Sequence, residues 1–273
     1  MALPELKQTD ADGLMLAWRE AGTGAPIIFL HGIGSGSAGW EAQLDHFSQG
    51  YRAIAWDAPG YGGSGDLAPE APDAGDYAAA LGKLMDALGL ERAHLVGNSL
   101  GSLMAGAFVR RSRGRVLSLV LSDPAIGHGK ADPKVREESL QGRLDGVYKH
   151  GPERMAAERA TKLMGSSGGD AAIAKVRAVM SQVRPDGYAQ AARMLAMGNL
   201  LAELEGCDAP TLVITGGEDI VTPPKGGRKV ADTCMNGRFE LIEKVGHLPY
   251  VEVPETFNRL VEDFLAEQDR AAA

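Results

Sequence analysis

Cysteine is nearly absent: Cys207 and Cys234 are the only two, with no CxxC and no Cys/His spacing of the kind that holds zinc. The expectation is a pair of buried, inert thiols, not a structural metal site or a disulfide framework. Long apolar runs are missing too. No stretch reaches 18 consecutive apolar residues, so no segment is expected to span a bilayer. Met1 to Asp12, with Pro4, Glu5, Lys7, Asp10 and Asp12, has no apolar core for a signal peptide, and a soluble, cytoplasmic protein is expected. Positive charge is in deficit as well: 28 Lys and Arg against 36 Asp and Glu give a net charge of −8. Phosphate backbones would be repelled by the average field of such a chain, and no basic block offsets it, which argues against a nucleic-acid partner.

What is present is enough apolar residue, 44% of 273, to bury a large core as one domain or as one domain carrying an insertion. Short apolar runs at Leu14 to Trp18, Ile27 to Leu30 and Ala53 to Trp56 read as strands. Strands and helices then alternate: helix Tyr77 to Leu88, strand His94 to Val96, helix Leu100 to Arg110, strand Val116 to Leu121. Such alternation needs crossover connections, which predict an α/β fold with a mostly parallel central sheet flanked by helices. From Gly127 to about Leu204 only helical stretches are legible, including Pro152 to Met164, Ala171 to Val183 and Tyr188 to Leu204, with GSSGGD (Gly165 to Asp170) reading as a flexible joint. The α/β pattern resumes with strand Pro210 to Thr215, helix Lys225 to Ala231, strand Phe239 to Ile242 and a closing helix from Pro254 to Glu267. The expected organisation is a core of residues 1–126 and 205–273, interrupted by an all-helical cap at 127–204. There is no internal repeat.

The segment LVGNSLGSLMAG runs a strand through Gly97-Asn98-Ser99-Leu100-Gly101 directly into a helix. In a strand-turn-helix of the form G-x-S-x-G the serine occupies a strained, sharp turn, and the flanking glycines avoid collision with a neighbouring strand or helix. The turn lifts the hydroxyl of Ser99 above the sheet edge at the positive end of a helix dipole. A neutral hydroxyl is a poor nucleophile and needs a base within reach and a third group to orient that base. Of six histidines, His247 in EKVGHLPYVEVPE follows a strand at the edge where α/β sites form. His94, His46 and His150 read as packing or surface residues, and His128 in AIGHGK is a weaker rival. For the acid, Asp219 in TLVITGGEDIVTPP follows the next-to-last strand, giving the chain order Ser99, Asp219, His247. Asp123 in LVLSDPA ends a strand on the same edge and is the alternative acid, although turn chemistry alone explains Asp123-Pro124.

A tetrahedral oxyanion needs two donors. The loop in FLHGIGSGSAGW supplies the amide of Ile33, and the elbow supplies that of Leu100. A rival reading takes Gly34, Gly36 and Gly39 as a dinucleotide fingerprint, with Asp57 as the ribose acid. It leaves the elbow and the two later loops unexplained, and His31-Gly32-Ile33 separates the strand from the fingerprint. A second rival is a binding protein without catalysis on the same fold. Serine chemistry of this kind requires no metal and no organic cofactor. The expected partner is a small-molecule substrate, with neither nucleic acid nor membrane, and nothing in the sequence specifies an oligomeric state.

Together these residues resemble the α/β-hydrolase superfamily over essentially the whole chain. HGIG is similar to its oxyanion loop, DAPGYGGS (Asp57 to Ser64) to its turn after the following strand, GNSLG to its nucleophile elbow, GGEDIVTP to its acid loop and GH to its base loop. The resemblance implies the α/β-hydrolase fold with a helical cap over the site. Within the superfamily, GNSLG and DAPGYGGS are similar to hydrolases of aromatic ring-fission products. These include carbon-carbon bond (meta-cleavage-product) hydrolases, enol-lactonases such as 3-oxoadipate enol-lactonase, and amide-type hydrolases of N-heterocycle breakdown. Some of the amide hydrolases use an acid at the position of Asp123. Meta-cleavage-product hydrolases usually carry Trp directly after the catalytic histidine, whereas this chain has Leu248. Ser99 also separates the chain from haloalkane dehalogenases and epoxide hydrolases, whose nucleophile is Asp. The expectation is therefore a serine hydrolase of a small ester, enol-lactone or related acyl compound, with carbon-carbon or enamide hydrolysis as the alternative.

Charge distribution refines the substrate. Between Gly127 and Leu204 there are 12 Lys and Arg and 9 Asp and Glu, a balance of +3 against −8 for the whole chain. A cationic lid over an acidic body suits a carboxylate-bearing substrate, with Arg143, Arg159, Arg177 and Arg193 as candidates to grip it. The alternative is that these charges are solvated helix faces.

Overall fold

In the computed structural model, which describes residues 2–272, the apolar runs become eight strands. They are β1 (Lys7–Ala11), β2 (Leu14–Ala21), β3 (Ala25–Leu30), β4 (Tyr51–Asp57), β5 (Ala93–Asn98), β6 (Val116–Ser122), β7 (Thr211–Gly216) and β8 (Gly237–Ile242). They form one sheet in the order β1-β2-β4-β3-β5-β6-β7-β8. The pairs β1/β2 and β2/β4 are antiparallel; all others are parallel. Every residue of β5 is buried, as expected of a parallel strand covered on both faces. β8, at the edge, is largely exposed. The sequence pattern passed over β1 because KQTDA has no apolar alternation; this strand exists by pairing with β2.

The helices of the body are α1 (Glu41–Phe47), α2 (Ala74–Ala87) and α3 (Leu100–Arg111), and they cover the sheet between strands. α2 starts where it does because Asp73 accepts hydrogen bonds from the amides of Gly75 and Asp76 while the Asp76 side chain caps the Asp73 amide. Between β6 and β7 lie α4 (Pro133–Asp145), α5 (Pro152–Arg159), α6 (Asp170–Met180), α7 (Pro185–Met197) and α8 (Leu200–Leu204), with no strand among them. The sequence reading gave no helix at α4, which is polar all round and buries no residue, so it carries no amphipathic stripe. α8 packs on α3 of the body. The chain closes with α9 (Pro224–Thr233), α10 (Pro249–Glu252) and α11 (Pro254–Ala272). No helix among the described residues is long and apolar enough to cross a membrane.

Two features of this topology place a site. From β3 the chain moves outward to β4 and then returns to β5 on the other side of β3, so the loops after β3 and β5 part at a crevice on the carboxyl edge. The inserted helices are stitched to that edge at Gly165. Glu252 accepts hydrogen bonds from the amides of Gly165 and Gly246, both at 2.9 Å. Glu218 accepts from the amide and hydroxyl of Ser166, and the Ser167 amide donates to the Lys244 carbonyl. GSSGGD is thus a fixed seam and not the flexible joint its composition suggested. Two backbones cross there so closely that a Cβ on Gly165 would stand 2.6 Å from the Gly246 nitrogen.

Gly165→Ala is therefore expected to lower stability by about 1–3 kcal/mol, the usual cost of forcing atoms into a packed contact. Urea unfolding measures this, and an unchanged midpoint would mean that the seam has room to spare.

Candidate active site

The strand-to-helix turn after β5 has the geometry that the glycines demanded. Ser99 sits at φ 51°, ψ −112°, a conformation that a residue with a side chain rarely adopts. A Cβ on Gly97 would meet the Gly101 carbonyl carbon at 2.6 Å, and one on Gly101 would meet the Leu30 oxygen at 2.0 Å. Neither position can carry a side chain without moving α3 off the sheet. The neighbouring strand end holds the strained residue: the Ser99 amide donates to the Ser122 carbonyl at 2.9 Å, and its carbonyl accepts from the Ala125 amide at 3.1 Å. Because α3 begins at Leu100, the amide of that residue has no intrahelical acceptor.

Ser99 and His247 line one cavity of about 490 Å³. Behind the imidazole, Nδ1 is 2.8 Å from Oδ2 of Asp219, in a pair almost wholly withdrawn from solvent. Asp219 Oδ1 accepts from the amides of Val221 at 2.7 Å and Thr222 at 3.0 Å, and Oδ2 accepts from the Thr222 hydroxyl at 2.6 Å. Burial alone would raise its pKa. The hydrogen bond and charge of His247, with the two donors of Thr222, outweigh burial and lower it to about 2. Thr222 was not singled out from sequence; its place three residues after Asp219 was the available signal.

The alternative acid lies beside this pair but makes different bonds. Asp123 accepts from the Gly216 amide at 2.9 Å and the Ser122 hydroxyl at 2.9 Å, and bonds no nitrogen of His247. Complete burial raises its pKa well above the ordinary value, and the nearby charge of Asp219 adds to the effect. Asp123, Asp219 and His247 have candidate ligand atoms within 4.8 Å of one another. Of the three pairs, Asp219 and His247 already form a direct hydrogen bond, and burial together with the neighbouring Asp219 charge favours the protonated form of Asp123, so that shared protons account for the cluster.

The loop after β3 is held by His31 and Asp57, to which the sequence reading gave no such bracing role. His31 Nδ1 donates to the Gly32 carbonyl at 2.9 Å while Nε2 accepts from the Ala58 amide at 3.0 Å, which fixes a neutral imidazole whose pKa burial lowers. Asp57 accepts from the amides of Ser37 at 2.7 Å and Gly63 at 3.2 Å. The carboxylate that the dinucleotide reading would place on a ribose is thus engaged within the protein. Ile33, beyond Gly32, lines the cavity, and no hydrogen bond among the described residues uses its amide or that of Leu100. Asn98 donates to the His247 carbonyl at 3.2 Å, tying the elbow to the base loop.

Two of the four candidate arginines reach the cavity. Arg143 and Arg159 line it. Arg177 does not: on α6 the buried face is Val176 and Met180, which turns Arg177 outward to solvent. Arg193 is spent on Glu70, 3.2 Å away. Lys175, Lys225, Lys229 and His128 also line the cavity. Net charge by segment could not separate these positions, because helix rotation decides which side chains face inward. His94 is buried against Ser118, as a packing residue should be, and His46 pairs with Glu262 at the surface.

Comparison with known proteins follows the same lines. A family model described as alpha/beta hydrolase fold matches residues 25–254. The chain is 30% identical over 272 residues to 2-hydroxy-6-oxononadienedioate/2-hydroxy-6-oxononatrienedioate hydrolase 2 of Pseudomonas putida, covering 92% of each. Among solved structures it is similar to a thermophilic esterase from Thermogutta terrifontis, with TM-score 0.87 and 28% identity over 97% of this chain and 99% of the other. It shares its fold with the enol-lactonase from Burkholderia xenovorans LB400, at TM-score 0.84 and 24% identity over 95% of this chain and 100% of the other.

The two carboxyl groups have opposite effects on stability against pH. Asp219, lowered in the fold, stabilises above its unfolded pKa, and that contribution is lost as pH falls toward 2. Asp123, raised in the fold, contributes fully below its unfolded pKa and loses that contribution as pH rises. Asp123→Asn should therefore gain stability relative to the parent as pH rises from about 4 to about 8. Thermal unfolding across that range checks this; parallel profiles would mean that Asp123 is ionised in the native protein.

Proposed function

The chain belongs to the alpha/beta hydrolase fold family and is a hydrolase, and from that premise we propose that it is a serine hydrolase with Ser99 as nucleophile, His247 as base and Asp219 as orienting acid. The observation that carries this reading is the buried 2.8 Å bond from His247 to an ionised Asp219, beside a serine held in a strained turn on the same cavity. Asp219 fixes the imidazole with its proton on Nδ1, which leaves Nε2 free to take the proton of the Ser99 hydroxyl. As that oxygen bonds to a substrate carbonyl carbon, the amides of Ile33 and Leu100 take up the developing oxyanion, aided by the positive end of α3. Collapse breaks the bond to the leaving group, which receives the proton from Nε2. Water, deprotonated by the same imidazole, releases the acyl group as a carboxylic acid and restores Ser99. Residues 127–204 act as a cap over the body formed by 1–126 and 205–273.

The substrate is a small molecule bearing a carboxylate, and the relatives support a ring-fission dienoate as the first choice. The name of the Pseudomonas putida relative describes a 6-oxo dioate. Attack at such a ketone would expel carbon, with the electron pair delocalised into the adjoining dienoate and the carbon then protonated. Ester or enol-lactone hydrolysis, the expectation from sequence, is the second reading; Leu248 after His247, where the carbon-carbon hydrolases resembled here carry Trp, favours it. The bond from His247 to Asp219 instead of Asp123 weighs against the enamide alternative.

A panel of a ring-fission dienoate, an enol-lactone, a short ester and an enamide tests the reading. Ser99→Ala should lower turnover of the preferred substrate by about 10⁴-fold or more, and Asp219→Asn by about 10³–10⁴-fold, while Asp123→Asn keeps most of it. Parental turnover by Ser99→Ala, or a loss on Asp123→Asn as large as on Asp219→Asn, would contradict the assigned roles.

A further inference from the structure

Two nucleophilic side chains take no part in the proposed reaction, the free thiols of Cys207 and Cys234. Cys207 lies in the turn between α8 and β7, and Cys234 ends α9 just before β8. Both precede their strands, so they stand at the sheet edge opposite the one that carries Ser99, Asp219 and His247. Cys207 and Cys234 are only 3% and 7% exposed, whereas Gly206, Asp208, Met235 and Asn236 beside them are exposed. The thiols therefore sit one residue beneath the surface.

The two turns are fastened to each other. The Met235 amide donates to the Cys207 carbonyl at 3.0 Å, the Thr211 amide to the Asn236 carbonyl at 3.1 Å, and the Asn236 side-chain amide to the Asp208 carbonyl at 2.8 Å. The Thr211 hydroxyl donates to the Ala209 carbonyl at 2.9 Å and holds the first turn closed. Standard covalent geometry on either side of the Met235 bond puts the two cysteine Cα atoms within about 7 Å of each other, the span that a disulfide bridges. The side chains meet as well. A hydrogen bond from the Cys234 thiol, helped by the Ala209 amide, lowers the pKa of Cys207 to about 7 against the effect of burial, and the same contact raises that of Cys234. Burial is what the sequence predicts for these residues; inertness is not what their surroundings imply.

We propose that Cys207 and Cys234 are a modification site for small hydroperoxides, which oxidise the pair reversibly to an intramolecular disulfide. Burial selects the oxidant, because a small uncharged peroxide can reach a sulfur one residue below the surface and a bulky charged disulfide cannot. The Cys207 thiolate attacks one peroxide oxygen, the O–O bond breaks, and the departing oxygen takes the proton that Cys207 released. Cys207 is then a sulfenic acid. The Cys234 sulfur bonds to the Cys207 sulfur and expels the hydroxyl group, which leaves as water with the Cys234 proton. The sulfur pair loses two electrons and the peroxide gains them; a dithiol reductant reverses the change. The new bond closes a loop that spans β7, Asp219, Thr222 and α9, and so restricts the unfolded chain.

The test is oxidation of the full chain by hydrogen peroxide under conditions that oxidise free glutathione, followed by denaturation, maleimide labelling and mass spectrometry. The parent should lose both reactive thiols together, become lighter by two hydrogens and yield one peptide joining Cys207 to Cys234. Dithiothreitol should restore both thiols. The oxidised protein should melt about 5 °C higher than the reduced one, the shift expected from closing such a loop in a chain of this size. In Cys234→Ser, dimedone should trap a sulfenic acid on Cys207; in Cys207→Ser, trapping on Cys234 should be about tenfold slower or more. Melting curves show whether the variants are folded, and the parent's cross-link and Tm carry the test if either is not. Retention of both thiols, a cross-link that forms only between two chains, or a disulfide that leaves Tm unchanged or lowers it would overturn the proposal. Faster trapping on Cys234 than on Cys207 would overturn the order of attack.

Discussion

The site depends on a contact between backbones: α3 approaches β3 so closely that the Gly101 position has room for nothing beyond hydrogen, a Cβ there lying 2.0 Å from the Leu30 oxygen. That approach forces the chain to leave β5 and enter the helix within one residue, and Ser99 is that residue, at φ 51°. Such backbone conformations cost on the order of 1–3 kcal/mol and persist only where the surroundings over-determine them. Here β6 supplies the restraint, through Ser122 and Ala125. One turn thus places a hydroxyl, a free helix-terminal amide and the start of a helix dipole at the same point, and that point lies beside the crevice where the loops after β3 and β5 diverge.

Electrostatics then divides labour between two neighbouring carboxyl groups. Like charges so close in a dry site cannot both ionise cheaply. Asp219 has four hydrogen-bond donors and remains charged at a pKa of about 2; Asp123 has two donors, complete burial, and a raised pKa. The imidazole therefore meets its ionised partner, Asp219, in a fixed direction.

The order of elements, the helical insertion and the Ser99, Asp219 and His247 loops were legible because each rests on local chemistry: apolar periodicity, turn glycines, and polar residues just past strand ends. Where the reading failed, tertiary context decided. β1 is a polar strand that exists by pairing, and α4 is a helix without an apolar face. GSSGGD has the composition of a linker, yet the crossing of Gly165 over Gly246 and the two glutamate clasps make it rigid in place. Among the arginines only three-dimensional position could separate Arg143 and Arg159 from Arg177 and Arg193. The choice between Asp219 and Asp123 likewise required seeing which carboxylate meets Nδ1.

The central claim is that Ser99 is reactive because His247, oriented by Asp219, removes its proton. Its most direct measurement is the rate of covalent labelling by a fluorophosphonate, followed by intact mass and peptide mapping. A single adduct on Ser99, formed readily by the parent and slowed by orders of magnitude in His247→Ala, is the result predicted. An adduct elsewhere, or labelling of Ser99 at the same rate without the imidazole, would contradict it.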